Sequence, residues 1–370
     1  MFKNYKLKNY NFMLLISVIA AMIVGVFAIN AADSSYTQKQ TIGVVGAVMV
    51  MVVVSFIDYH FICRFYIPLY VVSDLLLVAV LLFGDGVNNA VRWFTIGGLT
   101  FQPSELTKVI MIIFIAEMLR RFKEKEAINT VRCISLFLIS IGIPILLIYK
   151  QPDLSTTLCF TAVMLIMLYL SGLSYKIMGV AILILVPVTG TFIWYIQQPN
   201  QKLLYAHQVQ RILSFIYPAK YAEENIQQLN SVMAIGSGKL GGKGLLLQGS
   251  KSTVASSKLV SEQQTDFIFS IIGEATGFIG SVIVIGLILL IVLQCIRVAR
   301  RSKDTCGMLL SGGAAGLIGF QSFINIAVAT AFIPNTGIPL PFISYGLTSL
   351  LTIAILIGIV LNISLQKKQF

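Results

Sequence analysis

The chain has 370 residues, of which 57% are hydrophobic and 11% charged, with a mean hydropathy of +0.87. No soluble globular fold carries that balance, so the composition places it among polytopic membrane proteins. The formal net charge of +12 comes from basic residues flanking apolar runs, which excludes a nucleic-acid binder with one aromatic-interleaved basic patch.

Five cysteines, none of them in the polar stretch 197–265, supply neither a disulfide framework nor metal-ligand spacing. With only His60 and His207 available, HExxH chemistry is ruled out.

In chain order, Lys3, Lys6 and Lys8 precede the first apolar run. No small-residue cleavage site follows and further spans do, so this run reads as a retained first helix rather than a signal peptide. Windows long enough to cross a bilayer occur at 11–30, 41–57, 65–83, 104–119, 131–149, 154–170, 175–196, 266–294, 306–333 and 341–361, ten in all. The expected fold class is therefore all-α: a polytopic membrane protein with ten transmembrane helices and one large extracytoplasmic loop, a single membrane domain over 1–370. Lys and Arg concentrate before the first span, around Arg64, along Arg120 to Lys125, and around Arg297 to Lys303, whereas the short loops of opposite side hold only Lys39, Arg92 and Lys150. That asymmetry puts both termini in the cytoplasm and the 197–265 loop outside.

Asp74 lies inside the third window, where an interhelical hydrogen bond is the only role the sequence offers. The next outer loop is short and marked: GDGVNNAVRWFTIGGLTFQPSE. Trp93 suits the headgroup level as an anchor, with Arg92 beside it. Glu105 and Lys108 are three apart on one helical face and able to pair. As charges in a membrane helix they are either structural or line a polar cavity; Gln102, Pro103 and Ser104 extend that polar face outward and favour the cavity. Glu117, next to Arg120 and Arg121, reads as a solvated or salt-bridged helix end. Asp153 follows Pro152 either as a helix start or as another acid on the same side.

The outer loop mixes aromatic and polar residues and is expected to be ordered in part. Its Gly236-Ser237-Gly238-Lys239-Leu240-Gly241 run fits GxGxxG literally, but no strand precedes it, and a P-loop fails on spacing. The glycines read as tight turns or sites of close approach to a substrate. Arg211, Lys239 and Lys243 are either anion contacts or solvated charges.

The run EQQTDFIFSIIGEATGFIG places Asp266 at the membrane surface and Glu274 about two turns deeper, at about 1.5 Å per residue. Such carboxylates are costly and mark function unless they serve as caps. Thr265 or Asp266 as an N-cap and Asp266 as a chemical group stay open together. Finally, NIAVATAFIPNTGIPLPFISYGLTS carries three prolines and two glycines. Its backbone cannot stay helical, and irregular backbone at that depth is buried or lines a cavity.

Three blocks, RWFTIGGLTFQPSELTK, QTDFIFSIIGEATGFIG and NTGIPLPFISYG, resemble the SEDS family (shape, elongation, division and sporulation), which includes RodA, FtsW and SpoVE; the short termini are most similar to RodA. The likeness implies a bacterial cytoplasmic-membrane peptidoglycan glycosyltransferase that polymerises lipid II beside a class B penicillin-binding protein. It puts the essential aspartate at Asp266 and substrate-binding polar positions at Arg92, Glu105, Lys108, Asp153, Arg211 and Ser344. No cofactor is required by it; a divalent cation is compatible with the chemistry, and no ligand cluster in the sequence demands one. A lipid II flippase is the alternative reading, although the chain shows no internal repeat. A scaffold that recruits the penicillin-binding protein is a third.

Overall fold

The computed structural model describes residues 7–87, 90–96, 99–198, 201, 203–218, 220–244 and 263–366. Lys3, Lys6, Lys367, Lys368 and the loop stretch 245–262 lie outside them. The helices are α1 (Phe12–Ala32), α2 (Thr37–Ser55), α3 (Tyr59–Arg64), α4 (Tyr66–Phe83), α5 (Pro103–Glu124), α6 (Val131–Lys150), α7 (Leu154–Leu170), α8 (Tyr175–Ile196), α9 (Ala206–Ile216), α10 (Ala222–Ser237), α11 (Ile268–Arg300), α12 (Thr305–Ala329) and α13 (Leu347–Leu365).

Polar residues placed just ahead of apolar runs start several of them. Asn11 accepts from Leu14 N, Thr130 from Cys133 N, Asp153 from Thr156 N and Asp304 from Gly307 N. Each such cap satisfies one of the amide groups a helix start leaves unpaired. Pro103 opens α5, where its missing N–H costs nothing.

The centre is built from α5, α12 and α13, whose side chains are buried along most of their length. α11 packs on α12, and α2 on α13. Large apolar side chains on the outer faces, such as Ile16, Val53, Leu82 and Ile283, are exposed; a lipid environment covers such surface, whereas water would not. α8 turns nearly all its described side chains outward.

Eight helices among the described residues are long and apolar enough to cross a membrane. α7, with 17 residues, and α5, which carries Glu105, Lys108 and Glu117, fall outside that set. The molecule is therefore mostly helical, with several spanning elements.

The structure corrects the sequence reading in four places. Residues 85–101 form an antiparallel sheet, β1 (Asp85–Val87), β2 (Ala90–Ile96) and β3 (Leu99–Phe101), in the order β1-β2-β3. Strand-forming runs separated by Asn88-Asn89 and Gly97-Gly98 are a legible hairpin pattern. Second, the last span begins at Leu347 rather than 341, because the prolines and Gly337 keep the preceding segment irregular. Third, the eighth begins at Ile268, runs to Arg300 and is broken at Gly277, whose φ of 67° is not helical. Fourth, the segment 197–265, read as a loop, carries helices α9 and α10.

Candidate active site

Asp266 sits in the turn ahead of α11 and is half-buried. It does not cap the helix: Phe267 occupies that position and no side chain accepts there. The turn is fastened to the irregular segment before α13. Tyr345 N donates to Gln264 O at 2.9 Å. Ser344 Oγ donates to Thr265 O at 2.6 Å and accepts from Leu340 N at 2.8 Å. Asn325 Nδ2 donates to Asp266 O and Ile338 O, both at 2.8 Å. The backbone of Asp266 is thus held from α12 and from the proline-rich segment.

The aspartate side chain points toward Gly337, whose φ is +77°. A Cβ at that glycine would stand 3.2 Å from Asp266 Oδ2 and 3.9 Å from Arg211 Nη1. A carboxylate and a guanidinium from different elements therefore converge over a residue that has no side chain to separate them.

Arg211 comes from α9, with its side chain exposed. Crowding by surrounding protein lowers its pKa, the carboxylates of Asp266 and Asp153 raise it, and Arg92 lowers it further. A guanidinium starts so high that it stays charged at neutral pH. Arg92, on β2, donates through Nε to Gln151 O at 3.0 Å and through Nη2 to Pro152 O. Its Nη1 is 4.0 Å from Asp153 Oδ1. Gln208 of α9 donates to the same Pro152 carbonyl at 3.1 Å, and Ser155 donates to Thr336 O. The turn between α6 and α7 is thereby tied to the sheet, to α9 and to the segment beside Gly337.

Asp153 is occupied. It accepts from Thr156 N at 3.0 Å and Thr156 Oγ1 at 2.9 Å, with Gln102 Nε2 at 3.5 Å. Ser344 likewise spends its hydroxyl on Leu340 and Thr265. In this structure both residues hold neighbours in place.

Glu105 and Lys108 form a buried pair, Oε1 to Nζ 2.7 Å, with side chains 5% and 4% exposed. Lys108 lies within electrostatic reach of Asp153. Glu105 Oε2 and Ser104 Oγ are buried with no hydrogen-bond partner among the described residues. Buried polar atoms are nearly always paired, so this spot calls for a water or a ligand group. Glu117 is the ion-paired helix end its neighbours suggest, accepting from Arg120 and Arg121.

Sequence reasoning missed how α10 and the glycine run after it lock onto α11. α10 wedges in: Ser231 Oγ lies 2.5 Å from Ser270 Oγ and donates to Ala329 O at 2.6 Å, while Gln228 Nε2 donates to Ile333 O at 2.7 Å. The glycine run then lies on the break in α11. Phe278 N donates to Lys239 O, Ile279 N to Leu240 O, and Gly244 N to Ala275 O. A Cβ at Gly242 would meet Ala275 O at 2.3 Å, so the close approach for which the glycines are suited is to α11. Lys243 Nζ pairs with Glu274 Oε1 at 2.8 Å, which gives Glu274 a role. A glycine run opposite an acid in an apolar run was the available signal; the partnership itself was not readable.

Comparison with known proteins bears on this arrangement. A sequence family described as cell cycle protein, FtsW/RodA/SpoVE, matches residues 5–369. "Peptidoglycan glycosyltransferase MrdB" of Escherichia coli is 32% identical over 81% of this chain and 78% of its own. "Probable peptidoglycan glycosyltransferase FtsW" of Trichlorobacter lovleyi is 32% identical over 99% of this chain and 96% of its own. Among solved structures, a chain from "Structural coordination of polymerization and crosslinking by a peptidoglycan synthase complex" superposes with a TM-score of 0.80 at 26% identity, covering 96% of this chain and 97% of that one. The rod shape determining protein RodA of Thermus thermophilus shares the fold, with a TM-score of 0.70 at 24% identity over 98% of each chain.

Proposed function

Since the chain belongs to the FtsW, RodA and SpoVE family of cell cycle proteins, we propose that it is a peptidoglycan glycosyltransferase that polymerises lipid II on the outer side of the bacterial cytoplasmic membrane. The observation that carries the reading is the convergence of half-buried Asp266 and Arg211 on Gly337. Asp266 is the base. It takes the proton of the acceptor N-acetylglucosamine 4-hydroxyl as that oxygen bonds to C1 of the donor N-acetylmuramic acid. The bond from C1 to the pyrophosphate oxygen breaks with inversion, and undecaprenyl pyrophosphate leaves. A positioned base contributes about 10²- to 10⁴-fold in rate.

Arg211 and Arg92 offer guanidinium groups to the departing pyrophosphate, a geometry that suits phosphate oxygens. Lys108 adds charge from beneath, oriented by Glu105, and the unpaired Glu105 Oε2 and Ser104 Oγ give substrate or water a polar floor. Asp153 and Ser344 keep the Arg92 side and the Asp266 turn in register with these groups.

In this reading ten helices span the membrane, α5 and α7 included. Both termini are cytoplasmic, α9 and α10 belong to a single domain's outer loop, and a class B penicillin-binding protein crosslinks the strands. The likeness to a chain of a peptidoglycan synthase complex supports that partner.

The test is incubation of the purified chain, alone and with a class B penicillin-binding protein, with fluorescent lipid II in vesicles. Glycan polymer is the expected product. Lipid II delivered to the far leaflet without any polymer would identify a transporter instead.

A further inference from the structure

At the opposite end of the helices from Asp266 lies a cavity of about 310 Å³ lined by Cys63, Glu117, Arg120, Arg121, His60 and Asp304 among others. Cys306 opens α12 and Asn325, which holds Asp266, lies near its other end. At about 1.5 Å per residue the two are roughly 28 Å apart, so this region is separate from the site above. We propose that Cys63, Cys306 and Glu117 form a zinc-binding site joining α3, α12 and α5.

The geometry carries the proposal. One ligand atom from each of the three residues lies within 4.8 Å of the others. Cys63 and Cys306 are 4% and 1% exposed, and Glu117 4%. The sulfurs are 3.4 Å apart. That is far longer than the roughly 2.05 Å of a disulfide. It is within a few tenths of an ångström of the separation of about 3.8 Å that two sulfurs keep on a tetrahedral zinc with Zn–S bonds of about 2.3 Å.

Charge and chemistry narrow the ion. Two thiolates select a borderline-soft cation over magnesium or calcium. Both thiols lose their protons to solvent on binding, so the ligand set carries three negative charges against two on zinc. Arg120 and Arg121 stand ready to offset the remainder. Glu117 Oε1 accepts from Arg120 Nη2 at 2.7 Å and Arg121 Nε at 2.8 Å, while among the described residues Oε2 accepts only from Arg120 Nε at 2.8 Å. Since a carboxylate has about four lone-pair sites, one on Oε2 is left for the metal. His60 is not a ligand: its ring nitrogens face Asp58 at 2.9 Å and Asp304 at 2.7 Å. The fourth position opens on the cavity, where water completes the tetrahedron. Spacing along the chain hid this site, since its ligands come from three distant segments.

The test uses the full chain purified in detergent with reductant and without chelator. Elemental analysis should find about one zinc per chain. Cobalt(II) titration of the chelator-stripped protein should give thiolate-to-cobalt charge transfer and tetrahedral visible bands. Cys63→Ser and Cys306→Ser should each weaken cobalt binding at least about a hundredfold, and Cys133→Ser should leave it unchanged. The wild-type titration decides the matter even if a variant fails to fold. No charge-transfer band in the wild type, zinc retained equally by both serine variants, or a Cys63–Cys306 disulfide in the reduced preparation would each overturn the proposal.

Discussion

In the proposed mechanism, Asp266 and Gly337 define the chemistry at the scale of single residues. The carboxylate was legible because an acid beside a long apolar run is costly and demands a reason; that it is not a helix cap became evident only from the position of Phe267. Gly337 was not legible as part of the site. It sits well away in sequence and reaches Asp266 only once the proline-rich segment folds back onto the α11 turn. Its φ of +77° also disfavours any residue with a Cβ, by roughly 1–2 kcal/mol. Gly337→Ala should therefore lower the polymerisation rate at least about tenfold by pushing Asp266 and Arg211 apart, with a modest fall in melting temperature. An alanine variant with unchanged kcat on lipid II would remove Gly337 from the account. Lys108 belongs to the same scale. Lys108→Met leaves Glu105 as an unpaired buried acid, and is expected to cost about 3–5 kcal/mol of stability, more than Lys108→Met combined with Glu105→Gln, as read by thermal melting in detergent.

The elements that matter most are the broken helix α11 and the loop lying on it. Breaking α11 at Gly277 strips amide groups of helical partners, and the loop carbonyls of Lys239 and Leu240 take them up. This exchange explains why a glycine run sits there: side chains at Gly238 or Gly242 would collide with α11 carbonyls. The Lys243–Glu274 pair fastens the contact, with Glu274 3% and Lys243 27% exposed. Because the lysine is partly wet, Lys243→Met should cost roughly 2–3 kcal/mol, somewhat under the range for removing one partner of a fully buried pair. Pairing it with Glu274→Met should recover most of the loss. Equal melting temperatures for wild type and the single variant would show that the pair is not what anchors the loop. From the sequence, long apolar windows located the membrane elements, because bilayer thickness dictates their length. α9, α10 and the break escaped that reading, because they owe their shape to partners distant in the chain, and the sheet escaped because its short local hairpins fall outside a search for long apolar windows.

For the whole molecule, the account requires one orientation in the membrane, and the buried state of all five native cysteines makes it testable. A single added thiol at the exposed Lys220 (Lys220→Cys) should react with a membrane-impermeant maleimide in intact spheroplasts. One at the exposed Lys303 (Lys303→Cys) should react only after permeabilisation. The reverse pattern would place Asp266 on the cytoplasmic side, where the positive-inside argument says it does not belong. That argument was fully legible in the sequence, as was the family likeness of three separated blocks. The convergence of Asp266 and Arg211 on Gly337, the approach of Arg92 to Asp153 and the burial of the Glu105–Lys108 pair needed the folded chain. The most direct measurement is polymerisation of labelled lipid II by purified Asp266→Asn beside wild type, with both shown to be folded by melting profile. The account predicts that the asparagine variant makes no glycan chains while keeping its fold; chains made at the wild-type rate would contradict it.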